Sequence, residues 1–292
     1  MTAASLPRTY LYVPGNAHDK LAKALQRGAD ALIVDLEDAV PMHEKDNARA
    51  AVVAWLAGQP GDGPVELWVR VNAGALRETD VRALAGIEAL KGIILAKVED
   101  AAEVASIASL LEAAGDTTTL LMPLIETASA VLDARDIARA PRVHQLQIGE
   151  VDLTGETGIV PGDDEAELGG LRTLIVLAST AARINPPIGP VSRITSDLAA
   201  LEESTQRVRR QGFMGRACIH PAQIPVVHRV FTPTAADVAE AESVIELVKA
   251  AEAQDSGVVL DADGRLVDPA VLHAAHRTLA QAAAAAAREA QP

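Results

Sequence analysis

The chain has 292 residues, 49% of them hydrophobic and 2% aromatic, so a large core must be built from Ala, Leu, Val and Ile. A formal net charge of −14 argues against nucleic acid or an anionic membrane surface as a general partner, and any anionic ligand needs a local basic patch. The one cysteine, Cys218, leaves no internal disulfide and suits a reducing cytoplasm, while no apolar run has the length of a membrane span or a secretory signal.

In chain order, apolar runs alternate with amphipathic ones. Strands are predicted over 10–14, 31–36, 66–71, 92–96, 118–125, 145–151, 187–192 and 215–219. Helices are predicted over 20–27, 43–56, 79–90, 101–114, 128–139, 171–184, 197–211 and 221–230, with an acidic loop over 155–169. Strand alternating with helix eight times predicts a TIM (β/α)8 barrel, here residues 1–231, as the catalytic domain. No Gly-x-Gly-x-x-Gly turn follows the first strand, which argues against an open dinucleotide-binding sheet. Residues 232–292 form an extension: a helix over 234–253, a hairpin over 257–268 turning at Asp263-Gly264, and an Ala-rich helix over 269–289. Asp268 is the predicted cap of that last helix, with Pro269 at its first position.

Glu37, Asp38, Arg70, Lys97, Glu126, Asp152 and His220 all stand at C-terminal ends of predicted strands. In a barrel those ends meet at one mouth, where the active site lies. Glu126 and Asp152 end successive strands and make a hard oxygen site suited to Mg²⁺ or Mn²⁺; the other reading is that each caps the helix after it. Glu37 and Asp38 would accept hydrogen bonds from waters around such an ion. Arg70 would hold a carboxylate or a developing enolate oxygen, or else pair with Glu37 or Asp38. Lys97 is either the Schiff-base nucleophile of a metal-free aldolase or one half of an ion pair. His220, before Pro221, is a base, a substrate contact or a hydrogen-bonded structural histidine. Lys20 and Lys23, one helical turn apart, either catch a phosphate or form a solvated face.

Six stretches carry a resemblance. They are Arg8-Thr9-Tyr10-Leu11-Tyr12-Val13-Pro14-Gly15-Asn16, Val34-Asp35-Leu36-Glu37-Asp38-Ala39-Val40, Val69-Arg70-Val71-Asn72, Pro123-Leu124-Ile125-Glu126-Thr127-Ala128, Gly149-Glu150-Val151-Asp152-Leu153 and Cys218-Ile219-His220-Pro221-Ala222-Gln223-Ile224. Together they resemble the HpcH/HpaI aldolase and citrate lyase superfamily, most narrowly its citrate lyase β-subunit-like and malyl-/citramalyl-CoA lyase branch.

The resemblance implies a TIM barrel with Mg²⁺ on Glu126 and Asp152 and Arg70 on the oxo-acid portion. It implies CoA phosphates near the first-strand loop and Lys20 or Lys23, with Tyr12, Ile219 and His220 beside the substrate. Asp263-Gly264-Arg265-Leu266-Val267-Asp268-Pro269 resembles a CoA-lyase segment that completes a neighbouring subunit's site. Asp268 would then exchange a proton with the acyl-CoA α-carbon in a homo-oligomer, a trimer or hexamer. The chain departs from the pattern at Ile188-Gly189-Pro190, where many relatives have Asp-Gly-Pro. The expected activity is Mg²⁺-dependent cleavage of a 3-hydroxyacyl-CoA, such as malyl-CoA or citramalyl-CoA, to an acyl-CoA and a 2-oxo acid. The alternatives are an aldolase on a free 4-hydroxy-2-oxo acid and a citrate lyase β-like subunit acting on a carrier-bound thioester or inactive without its partner.

Overall fold

The computed structural model describes residues 6–252, 260 and 264–290. It divides into two compact units, Pro7–His228 and, with Leu6, the described residues from Arg229 onward.

The first unit holds one parallel sheet of seven strands: β1 (Thr9–Pro14), β2 (Ala31–Asp35), β3 (Glu66–Val71), β4 (Leu90–Leu95), β5 (Leu120–Ile125), β6 (Gln147–Ile148) and β7 (Arg216–Cys218), in the order β6-β5-β4-β3-β2-β1-β7. Between them run α1 (His18–Ala24), α2 (Lys45–Ala57), α3 (Arg77–Leu84), α4 (Ala101–Ala113), α5 (Ala128–Arg139), α6 (Glu150–Thr157), α7 (Gly169–Ala182) and α8 (Leu198–Arg210), with α9 (Ile224–Phe231) after β7. Strand β2 is buried at every residue, as expected of a parallel strand covered on both faces.

An inner core is built around Tyr10, Ile33, Trp68, Ile94, Met122 and Ile188. Two hydrogen bonds link β1 to the β6 segment, which is not its neighbour in the sheet. Tyr10 donates to Gln145 Oε1 at 3.2 Å, and Gln147 Nε2 donates to the Tyr12 hydroxyl at 3.0 Å. Gly92 is required by close approach, because a Cβ there would stand 2.4 Å from Trp68 Cζ3 and 2.6 Å from the Leu120 carbonyl.

Three expectations change. The seventh strand expected over 187–192 shrinks to two isolated parallel bridges, Gln147↔Ile188 and Gly189↔Arg216, which link β6 to β7. Pro186, Pro187 and Pro190 lack the N–H groups that a longer ladder needs. The sixth strand stops at Ile148, and Val151 and Asp152 lie in the first turn of α6, whose first backbone bond runs from Leu153 N to the Gly149 carbonyl. The helix expected over 79–90 starts at Arg77 and ends at Leu84, and Leu90 already belongs to β4. There Gly86, at φ +78°, turns the chain and donates its N–H to Asp116 Oδ2 at 2.7 Å.

In the second unit, α10 (Ala235–Glu252) packs against α11 (Pro269–Glu289) through Ala241, Val244, Ile245, Val267 and Ala275. Asp268 caps α11, accepting from the N–H groups of Ala270 at 2.9 Å and Val271 at 3.0 Å. Leu260 and Leu266 form one antiparallel bridge; Asp263, of the expected hairpin turn, lies outside the described residues. No helix among the described residues is long and apolar enough to cross a membrane.

Candidate active site

Parallel register sets the site. Asp35, the last residue of β2, is the Cα partner of Arg70 on β3. Their side chains meet in a bidentate ion pair, Nε to Oδ1 at 2.7 Å and Nη2 to Oδ2 at 2.6 Å. Arg70 Nη1 stands 3.1 Å from Glu37 and 3.7 Å from Asp38, and the guanidinium lies 5.2 Å from the centre of the Tyr12 ring. Burial opposes the charge on Arg70, but these neighbours outweigh it and hold the group protonated. The main partner of Arg70 is thus Asp35, and not the Glu37 or Asp38 expected; those two contribute on its other edge.

Lys97 follows β4 with φ +51°, a left-handed conformation uncommon for a residue with a side chain. That conformation lets one residue serve three carboxylates. Its N–H donates to Glu126 Oε1 at 2.7 Å, and its Nζ pairs with Glu37 at 3.2 Å and Asp38 at 3.9 Å. Burial lowers the proton affinity of Lys97, yet Glu37 and Asp38 raise it further, so the amine is a held ammonium. The loop carrying Glu37 is fixed from beneath by buried Lys45, whose Nζ donates to the Leu36 carbonyl at 2.8 Å and to the Glu37 carbonyl at 2.5 Å. Burial pushes the Glu37 carboxyl above its usual range, with Arg70 opposing and Asp38 adding to the shift.

Glu126 follows β5, is 2% exposed, and shares a cavity lining with Asp152, which lies in the first turn of α6. Burial pushes its carboxyl up to about 8; the Lys97 N–H draws it down and the Asp152 charge raises it. Neither acid is a helix cap. Thr127 caps α5, accepting from Ala130 N, and α6 has no side-chain cap at Gly149. Gly149 makes room for Glu126, since a Cβ there would stand 2.6 Å from Glu126 Cβ and 2.8 Å from Oε2. A buried carboxylate crowded by a second one, with a backbone cradle kept open beside its Oε2, suits a divalent cation. Among the described residues no group of three or more His, Cys, Asp and Glu side chains is arranged for a metal. Mg²⁺ commonly takes one or two carboxylates and completes its shell with water and substrate.

Tyr12, Asp35, Asp38, Arg70, Glu126, Gln147 and Asp152 line a cavity of about 420 Å³. A second cavity, of about 440 Å³, shares Tyr12, Val13, Pro14 and Ile219 with the first. It holds Lys20, Lys23, Arg27 and His220. His220 lines the second cavity and is absent from the lining of the first. Its Nδ1 accepts from Ala222 N at 3.2 Å, and Gln223 Oε1 accepts from the His220 N–H, so it serves as a cap at the rim.

Residues 8–221 match the family model described as HpcH/HpaI aldolase/citrate lyase. The chain belongs to this family. It is 34% identical over 291 residues to the citrate lyase subunit beta of Leuconostoc mesenteroides subsp. cremoris, covering 96% of this chain and 94% of the relative. It is 33% identical over 282 residues to a (3S)-malyl-CoA thioesterase of Cereibacter sphaeroides, covering 96% of each. Among solved structures it is similar to the CitE protein of Mycobacterium tuberculosis in complex with magnesium, acetoacetate and coenzyme A. That match has a TM-score of 0.78 and 30% identity, and it covers 97% of this chain and all of the other. The family and these relatives place the chain among the lyases.

Six of the seven strand-end residues come together as expected, and His220 does not. Asp35 was missed as a site residue, because a strand drawn to Leu36 absorbs it as an interior position. Gln147 was missed as well. Its signal is a polar residue between Leu146 and Ile148, at an inward position of an otherwise apolar strand.

Proposed function

We propose that this protein is a Mg²⁺-dependent carbon–carbon lyase that cleaves a 3-hydroxyacyl-CoA, of the malyl-CoA or citramalyl-CoA kind, to an acyl-CoA and a 2-oxo acid. The observation that carries the reading is the pair of adjoining cavities. One is acidic and holds Glu126, Asp152 and Arg70; the other holds Lys20, Lys23 and Arg27 on a chain of net charge −14. A thioester joining a short hydroxy acid to a handle that carries several phosphates needs such neighbours, and a free hydroxy-oxo acid does not need the second one.

In this reading Glu126 and Asp152 hold the metal, which when bound supplies Lewis-acid polarisation of the substrate's oxygens. Arg70, fixed by Asp35, binds the oxo-acid portion, with Tyr12 under its guanidinium. Glu37 and Asp38 order the site's water while compensating Arg70 and Lys97. Tyr12, Ile219 and His220 line the passage to Lys20 and Lys23, which take the CoA phosphates. Asp268 of a neighbouring subunit exchanges the proton at the acyl-CoA α-carbon, which makes the enzyme a homo-oligomer, a trimer or hexamer. We read residues 1–231 as the catalytic domain, a (β/α)8 barrel closed through the bridges at Ile188 and Gly189, and residues 232–292 as the extension that reaches the neighbour. We read the setting as cytoplasmic, which the presence of a single cysteine, the free Cys218, supports.

A mass-spectrometric screen tests the reading. The protein is incubated with Mg²⁺, a set of acyl-CoA esters and glyoxylate or pyruvate. The expected product is a thioester whose mass is the sum of one ester and one oxo acid, and which EDTA abolishes. No sum mass with any pair would refute it.

A further inference from the structure

One polar atom in the acidic cavity has no partner. Gln147 lines the cavity and is 1% exposed. Its Nε2 donates to the Tyr12 hydroxyl at 3.0 Å, which fixes the amide, and its buried Oε1 accepts no hydrogen bond from the protein. Ile188 is its register partner across the bridge, and Leu124 and Val191 flank the same inner space. A buried acceptor left unmade is costly, so such an atom is the usual mark of a group waiting for a ligand.

Position says which part of a ligand it would meet. Gln147 stands two residues before Gly149, the glycine beside Glu126 Oε2, hence about 6.6 Å deeper along the strand. Tyr12 joins the two levels, with its ring by Arg70 and its hydroxyl on Gln147. A short 2-oxo acid held at the Glu126, Asp152 and Arg70 level would turn its far carbon toward Gln147. A carboxylate there would meet an acceptor and no cation, since Arg70 is the one cationic side chain among the described residues lining this cavity. A methyl would leave Oε1 bare, whereas a hydroxyl would donate to it.

We propose that Gln147 is a specificity-determining residue that reads a hydroxyl on the carbon next to the oxo group, so that the site takes hydroxylated monocarboxylic 2-oxo acids in preference to methyl-bearing ones. This rests on the oxo-acid assignment made for the same cavity. A site built to hydrogen-bond a hydroxyl discriminates strongly against the analogue that lacks it, because the buried partner is then unpaired.

Calorimetric titration of the full chain with 3-hydroxypyruvate and with pyruvate, in Mg²⁺, tests it without any turnover. The wild type is expected to bind 3-hydroxypyruvate at least tenfold more tightly. Gln147→Met, close in volume and without the amide, should lose that margin and keep pyruvate affinity within about threefold. Tyr12→Phe, which frees the amide to rotate, should reduce the margin in the same direction. Equal affinities in the wild type, or a margin that survives Gln147→Met, overturns the proposal. With 3-hydroxypyruvate added to the CoA-ester screen, absence of any sum mass while this margin holds would overturn the lyase reading and leave the residue's role standing.

Discussion

Asp35 and Arg70 face each other as register partners on adjacent strands and close a two-point ion pair at 2.7 and 2.6 Å in the floor of the acidic cavity. The pair fixes the plane of the guanidinium and leaves Nη1 toward Glu37. Removing one partner of a buried pair strands the other charge, at a cost of about 3–5 kcal/mol. Asp35→Asn should therefore lower unfolding free energy by about 3 kcal/mol in urea titrations and reduce turnover as well. Wild-type stability would show that Glu37 and Asp38 suffice for Arg70.

Gly149→Ala tests the Glu126 cradle. The added methyl would sit inside contact distance of Glu126 Cβ and Oε2, so the carboxylate or the turn into α6 must move. Overpacking of this kind costs about 1–3 kcal/mol. Displacement of a supporting group typically weakens metal binding by about 10–100-fold. Mg²⁺ titration by calorimetry should show that loss, and an unchanged dissociation constant would place the metal elsewhere.

Lys97 is a held ammonium between Glu37 and Asp38, and a protonated amine does not attack a carbonyl. Incubation with pyruvate and borohydride should leave the protein mass unchanged. A trapped adduct on Lys97 would instead support a metal-free aldolase.

Asp268 separates capping from catalysis. Its cap of α11 is visible in two hydrogen bonds, and Asn ranks with Asp at that position. Asp268→Asn should melt near the wild type while lyase turnover falls at least roughly a hundredfold, as for a lost acid–base group. Mixed oligomers of Asp268→Asn with Arg70→Ala should regain activity if each site draws on two chains. Full activity of Asp268→Asn alone would leave only the cap.

Acid should act on the first unit in two stages. Burial, with Lys91 nearby, lowers the His144 pKa to about 4 from 6.5. The unfolded chain takes up that proton first, so the His144 contribution is lost as pH drops from 6.5 through 4, while Glu126, whose raised carboxyl is protonated first in the folded chain, acts in the opposite sense over the same range. Burial raises the Asp116 carboxyl, but N–H and hydroxyl donors from Thr119, with Gly86 and Thr118, outweigh it and bring it to about 2 from 3.8. Its contribution is full above pH 3.8 and is lost as pH falls toward 2. The stability of the wild type relative to His144→Gln should fall as pH drops from 6.5 to 4, and both should lose stability together below 3.8. A constant difference between the two melting curves across the first window would remove His144 from the account.

The sequence by itself determined the alternation of strand and helix, because a parallel strand buried on both faces has to be apolar throughout and an amphipathic helix has to repeat every three to four residues. For the same reason the strand-end polar residues stood out, and Glu126, Arg70 and Lys97 were legible as a cluster. Strand lengths near 147 and 188 were not, since hydrogen bonds to proline-interrupted segments depend on neighbours far along the chain. Pairings were hidden for a related reason. Asp35 and Arg70 meet through register across two strands, and Tyr12 and Gln147 through the interior between strands that are not neighbours. Lys97 shows the same division. Its charge is written in the chain, but the left-handed backbone that lets it hold Glu126 and Glu37 together exists only where the surrounding packing enforces it.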